Sequence, residues 1–243
     1  KEEYIRTSIL GPVRQYSGSD MDREFWALFC ALLNFQVPVI KWLRPMLNGL
    51  RLHIEEEGLA FSDLFYNERL TRSILKSFKW SKSRRGFSHR LVPINDAITL
   101  LLTFRRILED YGSLRSLVEE LYKDGGVKHV IKGLAYELRS KLMKPLKCRA
   151  LVPNPQKGSA MKRLTLFLRW MVRPYPDLNL WGRLINKKEL LVSLDTGVAR
   201  VINRVLGCEF VKHTRWNDML RVTELLRSIN EEDPAKYDYV FSR

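Results

Sequence analysis

The chain has 243 residues, of which 45% are hydrophobic and 28% are charged, as is ordinary for a globular protein with a buried core. Its 42 lysines and arginines against 27 aspartates and glutamates give a net charge of +15, which favours a polyanionic partner, nucleic acid ahead of an acidic membrane surface. The three cysteines lie far apart without a CxxC pair and the four histidines are scattered, which argues against a zinc site, an iron–sulfur cluster and a disulfide framework.

Apolar residues recur at helical spacing along most of the chain, which predicts an all-α fold. The first strong segment begins near Asp20, read as its N-cap, and places Phe25, Leu28 and Leu32 on one face. The other predicted helices, in chain order, cover 39–56, 66–79, 95–110, 113–123, 127–143, 160–173, 195–207, 215–229 and 234–242. We find no alternating pattern longer than a few residues, so no strand is predicted.

The sequence also indicates where the protein resides. No apolar run approaches the length of a membrane span, and the opening KEEYIRTSIL has no apolar secretory core. We therefore expect a cytoplasmic, nucleoid-associated monomer that makes no membrane contact and uses neither a cofactor nor a metal cluster.

Positive charge is concentrated in two stretches that contain no acidic residue. Residues 69–94 hold eight lysines and arginines, among them Arg84 and Arg85, and residues 138–176 hold ten. A solvated basic helix face normally has acidic residues mixed in for i,i+4 pairing, so these stretches indicate surfaces that meet phosphates. The alternative is a solvated basic face without a partner.

A lysine stands at the start of the predicted helix over 160–173. The turn-forming pair Lys157-Gly158 precedes it, so Lys162 falls on the first helical turn, near the positive end of the helix dipole and beside Arg163. The positive helix end and the charge of Arg163 both disfavour the protonated form of Lys162. A nucleophilic amine has to be unprotonated, so this position suits one. A lysine at such a position is more often a phosphate contact or a solvated side chain, so position alone does not identify a nucleophile.

An aspartate begins the next long helix, directly after the apolar run that ends at Leu194. Read by itself, Asp195 is better explained as an N-cap than as a catalytic group. A carboxylate that faces a pocket at this point could instead assist the departure of a base or help to shuttle protons.

Together, the segments KGSAMKRLTLFLRW at 157–170 and LDTGVARVINRVLG at 194–207 resemble the helix-hairpin-helix DNA glycosylase superfamily. The blocks LFLRWMVR and LDTxVxR are specific, and the likeness covers 151–243 well and 20–36 loosely. Asp195 follows Lys162 by 33 residues, which is closer to the archaeal 8-oxoguanine glycosylase branch than to relatives of endonuclease III. The sequence also looks like one poorly characterised branch found in bacteria and archaea.

The resemblance implies a fold and a chemistry. The fold is a single two-lobed helical domain over 1–243, in which helices from about 1–36 and 151–243 flank a middle lobe over about 37–150, with the active-site cleft between the lobes. The chemistry is base excision followed by strand nicking, in which Lys162 attacks the sugar C1′ of a flipped-out nucleotide and Asp195 assists.

The same resemblance implies further contacts. Gln36, with Asn34 before it, would fill the space left by the flipped nucleotide, although an ordinary helix end capped by Asn34 explains the segment equally well. Asp238 would contact the extruded base, unless it is a surface acid paired with a lysine or arginine. Phe167 and Trp170 could stack on the base, although most aromatics at helical spacing are core. The remaining residues assigned to DNA contact are Lys157, Gly158, Ser159, Arg163 and Arg200.

The sequence departs from the superfamily at three points. PNPQKGSAMK stands in place of the usual LPGVG hairpin, and Gly197 stands where relatives commonly carry histidine. The iron–sulfur cysteines of some relatives are missing.

These observations lead to one expected function and two alternatives. We expect a base-excision-repair DNA glycosylase with AP lyase activity on damaged double-stranded DNA, with an oxidised purine such as 8-oxoguanine as the first substrate and a deaminated base as the second. One alternative is a non-catalytic helical nucleic-acid-binding protein that retains the glycosylase fold. The other is a monofunctional glycosylase in which Lys162 only binds phosphate.

Overall fold

Helices dominate the structure, a computed structural model that describes residues 2–241. The predicted all-α class is confirmed, since the strands within these residues are limited to one short hairpin. None of the described helices is both long enough and apolar enough to span a membrane.

The chain divides into two units by its internal contacts. The N-terminal unit consists of Glu2–Val118 and Glu137–Val152, and the C-terminal unit consists of Glu119–Tyr136 and the chain from Pro153 onward. Residues 2–36 therefore group with the middle of the chain by contact, whereas the resemblance implied that about 1–36 group with 151–243.

The N-terminal unit is built around one buried helix. Its elements in order are α1 (Glu2–Thr7), α2 (Leu10–Gln15), α3 (Asp20–Leu33), a π-helical turn (Val39–Leu43), α4 (Arg44–Glu56), a 3-10 turn (Phe61–Phe65), α5 (Glu68–Ser77), strands β1 (Lys79–Ser81) and β2 (Arg84–Arg85), and α6 (Ile94–Tyr111).

Helix α3 lies at the centre of this unit. Every residue from Phe25 to Leu33 is 0% exposed, so α3 is surrounded by protein on all sides rather than amphipathic as its spacing predicted. Its aromatic rings pack against neighbours in tilted and edge-on pairs, such as Phe25 with Phe104 at 5.0 Å and Trp26 with Phe61 at 5.2 Å. Pairs of this kind stabilise a core by about 0.5–1.5 kcal/mol each beyond the area they bury.

The hairpin of β1 and β2 was not predicted. Its strands are antiparallel, with Lys79 opposite Arg85, and they are too short and too polar to produce an alternating apolar pattern. The hairpin packs closely on α4, because a Cβ atom at Gly49 would lie 2.5 Å from the carbonyl oxygen of Lys79.

A kink divides the longest helix, α7 (Leu114–Ser140). The backbone leaves helical geometry at Gly125 and at Gly126, where φ is 65° and ψ is −165°. This conformation is essentially restricted to glycine. The sequence predicted two helices here, over 113–123 and 127–143, and the two glycines that separated them form the kink.

The C-terminal unit carries α8 (Lys162–Val172), α9 (Thr196–Leu206), α10 (Trp216–Ile229) and the short α11 (Asp238–Phe241), joined by loops and 3-10 turns at Pro155–Lys157, Lys187–Glu189 and Pro234–Tyr237. Helix α8 is buried along most of its length from Leu164 onward. Its first residue, Lys162, is only half-buried and faces the start of α9.

Candidate active site

The backbone before α8 fixes where Lys162 lies. Gly158 and Met161 both adopt left-handed conformations, with φ of 66° and 49°. Met161 is not a glycine, so this geometry costs about 1–3 kcal/mol, which the surrounding structure must offset. That support comes from the start of α10, where the Trp216 amide donates to the Gly158 carbonyl at 2.9 Å, and from the residue before it, Arg215, which pairs with Ser159 as an isolated bridge.

Asp195 holds two partners with its two carboxylate oxygens. Oδ1 accepts the Val198 amide at 2.8 Å, which makes Asp195 the N-cap of α9. Oδ2 accepts a hydrogen bond from Lys162 Nζ. The two side chains are about one-third exposed, at 37% for Lys162 and 33% for Asp195, so the pair is open to solvent. The residues named from two distant segments of sequence thus meet, and the carboxylate is both cap and ion-pair partner.

The environment keeps the Asp195 carboxylate ionised. Burial acts to raise its pKa, but the charge of Lys162 and the hydrogen bonds from Lys162, Val198 and Gly197 outweigh burial and hold the pKa below its usual range. Asp195 therefore presents a negative charge beside the amine at neutral pH.

Gly197 controls the room beside this carboxylate. A Cβ atom there would lie 3.1 Å from Asp195 Oδ1, which is tighter than an ordinary contact. A larger residue at 197 would crowd the oxygen that caps α9. The absence of a side chain there therefore lets the Asp195 carboxylate keep its observed position.

A polar path runs from Lys162 into the interior. Thr165 Oγ1 donates to the Lys162 carbonyl at 2.8 Å and lies 3.4 Å from Ser193 Oγ. The Ser193 amide donates to Asp238 Oδ2 at 3.2 Å. Ser193 was not predicted, and its only sequence signal was its place two residues before Asp195.

Asp238 belongs to a buried ion network of two arginines and three aspartates. Arg169 lies 3.5 Å from both Asp238 and Asp177, and Arg173 donates to Asp177 at 3.1 Å and to Asp233 at 2.9 Å. Burial raises the pKa of Asp238 even though Arg169 and the Ser193 amide oppose the shift. Its Oδ1 atom has no hydrogen-bond partner within residues 2–241.

The predicted base-contacting residues of the C-terminal unit are therefore not on a surface. Asp238 is 3% exposed, and Phe167 and Trp170 are 0% exposed. Phe167 packs edge-on against Trp181 at 5.3 Å. None of the three presents an open face to a base in this structure.

The predicted phosphate-contacting residues of this unit lie nearer the surface. Lys157, Gly158 and Ser159 are exposed in the turn before α8, and Arg163 is half-buried one residue after Lys162. Arg200 is exposed on α9 and lines a cavity of about 600 Å³. The other ionisable residues on its wall are Glu209, Lys212, His213 and Arg215.

The remaining predicted residues belong to the N-terminal unit. Asn34 is the C-cap of α3, as its alternative interpretation expected. Gln36 is exposed and has a left-handed backbone, with φ of 54°. Arg84 and Arg85 lie exposed on β2. Among the described residues, no cluster of His, Cys, Asp and Glu could hold a metal ion.

Comparison with known proteins identifies the family. The family model described as "Protein of unknown function (DUF2400)" matches residues 12–243, so the chain belongs to that family. No curated protein and no solved structure matches the chain.

Proposed function

We propose that the chain, as a member of the DUF2400 family, is a base-excision DNA glycosylase with AP lyase activity in which Lys162 is the nucleophile. The observation that carries the proposal is the hydrogen bond between Lys162 and Asp195. An amine at a helix start and an ionised carboxylate, half-open to solvent, form the pair of groups that amine-mediated base excision requires.

The chemistry follows from these two side chains. Lys162 Nζ, once deprotonated, attacks C1′ of the flipped nucleotide, and the base leaves with the electrons of the glycosidic bond and takes up a proton. Asp195 is the acceptor already hydrogen-bonded to the amine. Its negative charge also stabilises the positive charge that develops on the sugar. The sugar ring then opens as the C1′–O4′ bond breaks, which leaves a Schiff base between Lys162 and C1′, with a proton taken up on O4′. Loss of a C2′ proton from this Schiff base breaks the C3′–O bond, so the 3′ phosphate leaves and the strand is nicked.

The substrate class and the rest of the fold are part of the same proposal. The substrate is a damaged base in duplex DNA, with an oxidised purine first and a deaminated base second. The protein acts as a monomer on the nucleoid and has the helix-hairpin-helix glycosylase architecture. The net charge of +15 and the exposed turn residues Lys157 and Ser159 support a DNA partner.

Borohydride trapping on duplex DNA that contains an abasic site tests the proposal. We expect the parent to form a covalent adduct and Lys162→Gln to form none, while binding to the same duplex is largely kept. Lys123→Gln is the control, since it removes an exposed amine that is paired with Glu119 and that we assign to neither catalysis nor DNA contact, and it should trap like the parent. If Lys162→Gln traps as well as the parent, Lys162 is not the nucleophile and Lys157 is the next amine to test.

A non-catalytic nucleic-acid-binding protein is the second candidate. One observation favours it, because both groups of the pair are satisfied within the protein, with Asp195 capping α9 and also binding Lys162. An ion pair that only stabilises the fold would show the same contacts as Lys162 and Asp195 do here. A parent protein that binds duplex DNA yet gives neither adduct nor nicking on a panel of lesion-containing duplexes would decide for this candidate.

A further inference from the structure

The hairpin of residues 79–85, here called the basic hairpin, carries four cations within its short length: Lys79, Lys82, Arg84 and Arg85. All four are exposed, and none forms an ion pair within the part of the chain that the structure describes. Lys79 and Arg85 are directly opposite in the register. Like charges at opposed positions destabilise a strand pair, so the isolated hairpin carries a repulsion that a bound anion would relieve.

One of these cations is held on an aromatic platform. The Arg84 guanidinium lies 3.7 Å from the ring centre of Trp42 and 5.3 Å from that of Trp80. The two indoles contact each other edge to face, with centres 5.4 Å apart. Stacking covers a face of the guanidinium and leaves its N–H edge available for hydrogen bonds to an anion.

The platform itself is fixed by hydrogen bonds to the backbone. Trp42 Nε1 donates to the Ser88 carbonyl at 2.7 Å, and Trp80 Nε1 donates to the Gly86 carbonyl at 3.0 Å. Arg84 thus stacks on rings that cannot easily turn away. An arginine ordered before binding loses less conformational entropy when it binds a ligand.

Two glycines hold the hairpin against the helices beneath it. A Cβ atom at Gly49 on α4 would lie 2.5 Å from the Lys79 carbonyl, and one at Gly86 would lie 2.7 Å from the Lys76 carbonyl at the end of α5. The hairpin is therefore docked by backbone contacts that leave no space for a side chain. Such a frame suits an element that must keep its shape when a ligand binds.

We infer that the basic hairpin is a preformed contact for the phosphate backbone of duplex DNA, with Arg84 as its anchoring residue. A two-stranded ribbon is narrow enough to enter the major groove, and a guanidinium edge matches two phosphate oxygens at once. This inference rests on the proposed DNA partner, but not on the chemistry at Lys162. It adds a binding element in the N-terminal unit, whereas the candidate catalytic pair belongs to the C-terminal unit.

Binding to a short undamaged duplex, measured over a range of salt concentrations, tests the inference. We expect Arg84→Ala to weaken binding about tenfold, the size of one charge-assisted hydrogen bond. The slope of log affinity against log salt should fall by about 0.9, the loss of one phosphate contact. Arg84→Lys should bind much like Arg84→Ala, because lysine keeps the charge but lacks the planar fork. Trp42→Leu should also weaken binding, since it removes the platform.

Lys123→Ala is the matched control, because it removes one charge from a side chain that is 70% exposed and already paired with Glu119. It should bind within about twofold of the parent. Melting temperatures of the Arg84 variants should stay close to that of the parent, so a loss of affinity is not a loss of folding. Trp42 is partly buried, so its variant is compared only if it remains folded, and the two Arg84 variants decide the question without it.

Each possible result of these measurements upholds or overturns a stated part of the inference. Parent-like binding by Arg84→Ala, or no duplex binding by the parent, overturns the inference. Parent-like binding by Arg84→Lys overturns the anchoring role and leaves only net charge. If Arg84→Ala weakens binding to anionic phospholipid vesicles but not to duplex, the partner is a membrane surface and the inference is overturned. Loss of duplex affinity together with unchanged trapping by Lys162→Gln would uphold the hairpin contact and remove the proposed catalysis instead.

Discussion

The two oxygens of Asp195 make its roles separable by a single atom change. Asparagine caps a helix about as well as aspartate, so Asp195→Asn keeps the contact with the Val198 amide. It removes the negative charge beside Lys162. We expect base excision to fall about a hundredfold or more, in the range found when a group that stabilises developing charge is removed. The melting temperature should fall by only a few degrees, because an ion pair as exposed as this one contributes at most about 1 kcal/mol.

Thr196→Ala is the control for that experiment, because Thr196 is exposed at the start of α9 and contributes to neither contact of Asp195. Its excision rate should match the parent. Normal excision by Asp195→Asn with an unchanged melting temperature would remove Asp195 from the mechanism.

The lowered pKa of Asp195 gives the stability of the protein a specific dependence on pH. The unfolded carboxyl titrates at about pH 3.9, and the folded one titrates lower. The pair therefore stabilises the folded state fully above the unfolded pKa, and that stabilisation is lost as the pH falls through the folded pKa. We expect the difference in free energy of unfolding between the parent and Asp195→Asn to shrink below about pH 4.

Urea unfolding of both proteins between neutral pH and the acid limit of folding measures that difference. Other carboxylates titrate in both proteins and cancel in the comparison. A difference that stays constant down to the acid limit would contradict the ion pair, even if the cap were intact.

At the scale of elements, the kink in α7 depends on a backbone conformation that favours glycine, so replacing the glycine there should destabilise the protein. Gly126 adopts φ of 65° with ψ of −165°, a region that residues with a Cβ hardly enter, and Gly112 adopts the more accessible left-handed helical region. Neither site is crowded, because a Cβ at Gly126 would meet its nearest neighbour at 3.6 Å and one at Gly112 would meet none within 4 Å. We expect Gly126→Ala to lower the free energy of unfolding by about 1–3 kcal/mol.

Gly112→Ala is the companion measurement and should cost about 1 kcal/mol. The difference between the two variants then reports the backbone conformation at the kink rather than side-chain packing. Equal losses would mean that the kink relaxes to accommodate alanine.

The elements differ in how far the sequence predicts them. Long helices such as α6 and α10 were found within one or two residues of their observed ends, because their apolar period and their capping signals are local. Ser19, rather than Asp20, caps α3, and Asp20 is its first residue. The short α1 and α2 and the two strands of the basic hairpin gave no periodic signal, since six residues or fewer are too few to establish a period.

The candidate site, like the helices, was predicted only in part from the sequence. Lys162 and Asp195 were named from their local segments and from resemblance, and their contact depends on folding across the intervening residues. The burial of Asp238 beside Arg169 could not be read from sequence, because it depends on where α11 packs. A charged residue is rarely buried unless it is paired, and its partner here lies 69 residues away.

At the scale of the whole molecule, the net charge of +15 predicts how DNA binding responds to salt. Each phosphate contact releases counterions, so log affinity should fall with log salt by about 0.9 per contact. We expect a slope of about −4 or steeper on undamaged duplex, as for several contacts made at once. Fluorescence anisotropy titrations at stepped salt concentrations measure it, and a slope near zero would count against any nucleic-acid role.

The two contact units are interleaved along the chain, and this has a consequence for synthesis on the ribosome. The N-terminal unit includes Glu137–Val152, which emerges after a segment of the other unit. Asp96, 3% exposed, accepts hydrogen bonds from the Lys147 amide at 3.2 Å and from the Cys148 amide at 2.6 Å. A nascent chain that ends at 118 therefore leaves a buried carboxylate without these donors. Vectorial folding of this unit has to wait until the later segment is made, and neither unit can be inherited or exchanged as one continuous stretch of coding sequence.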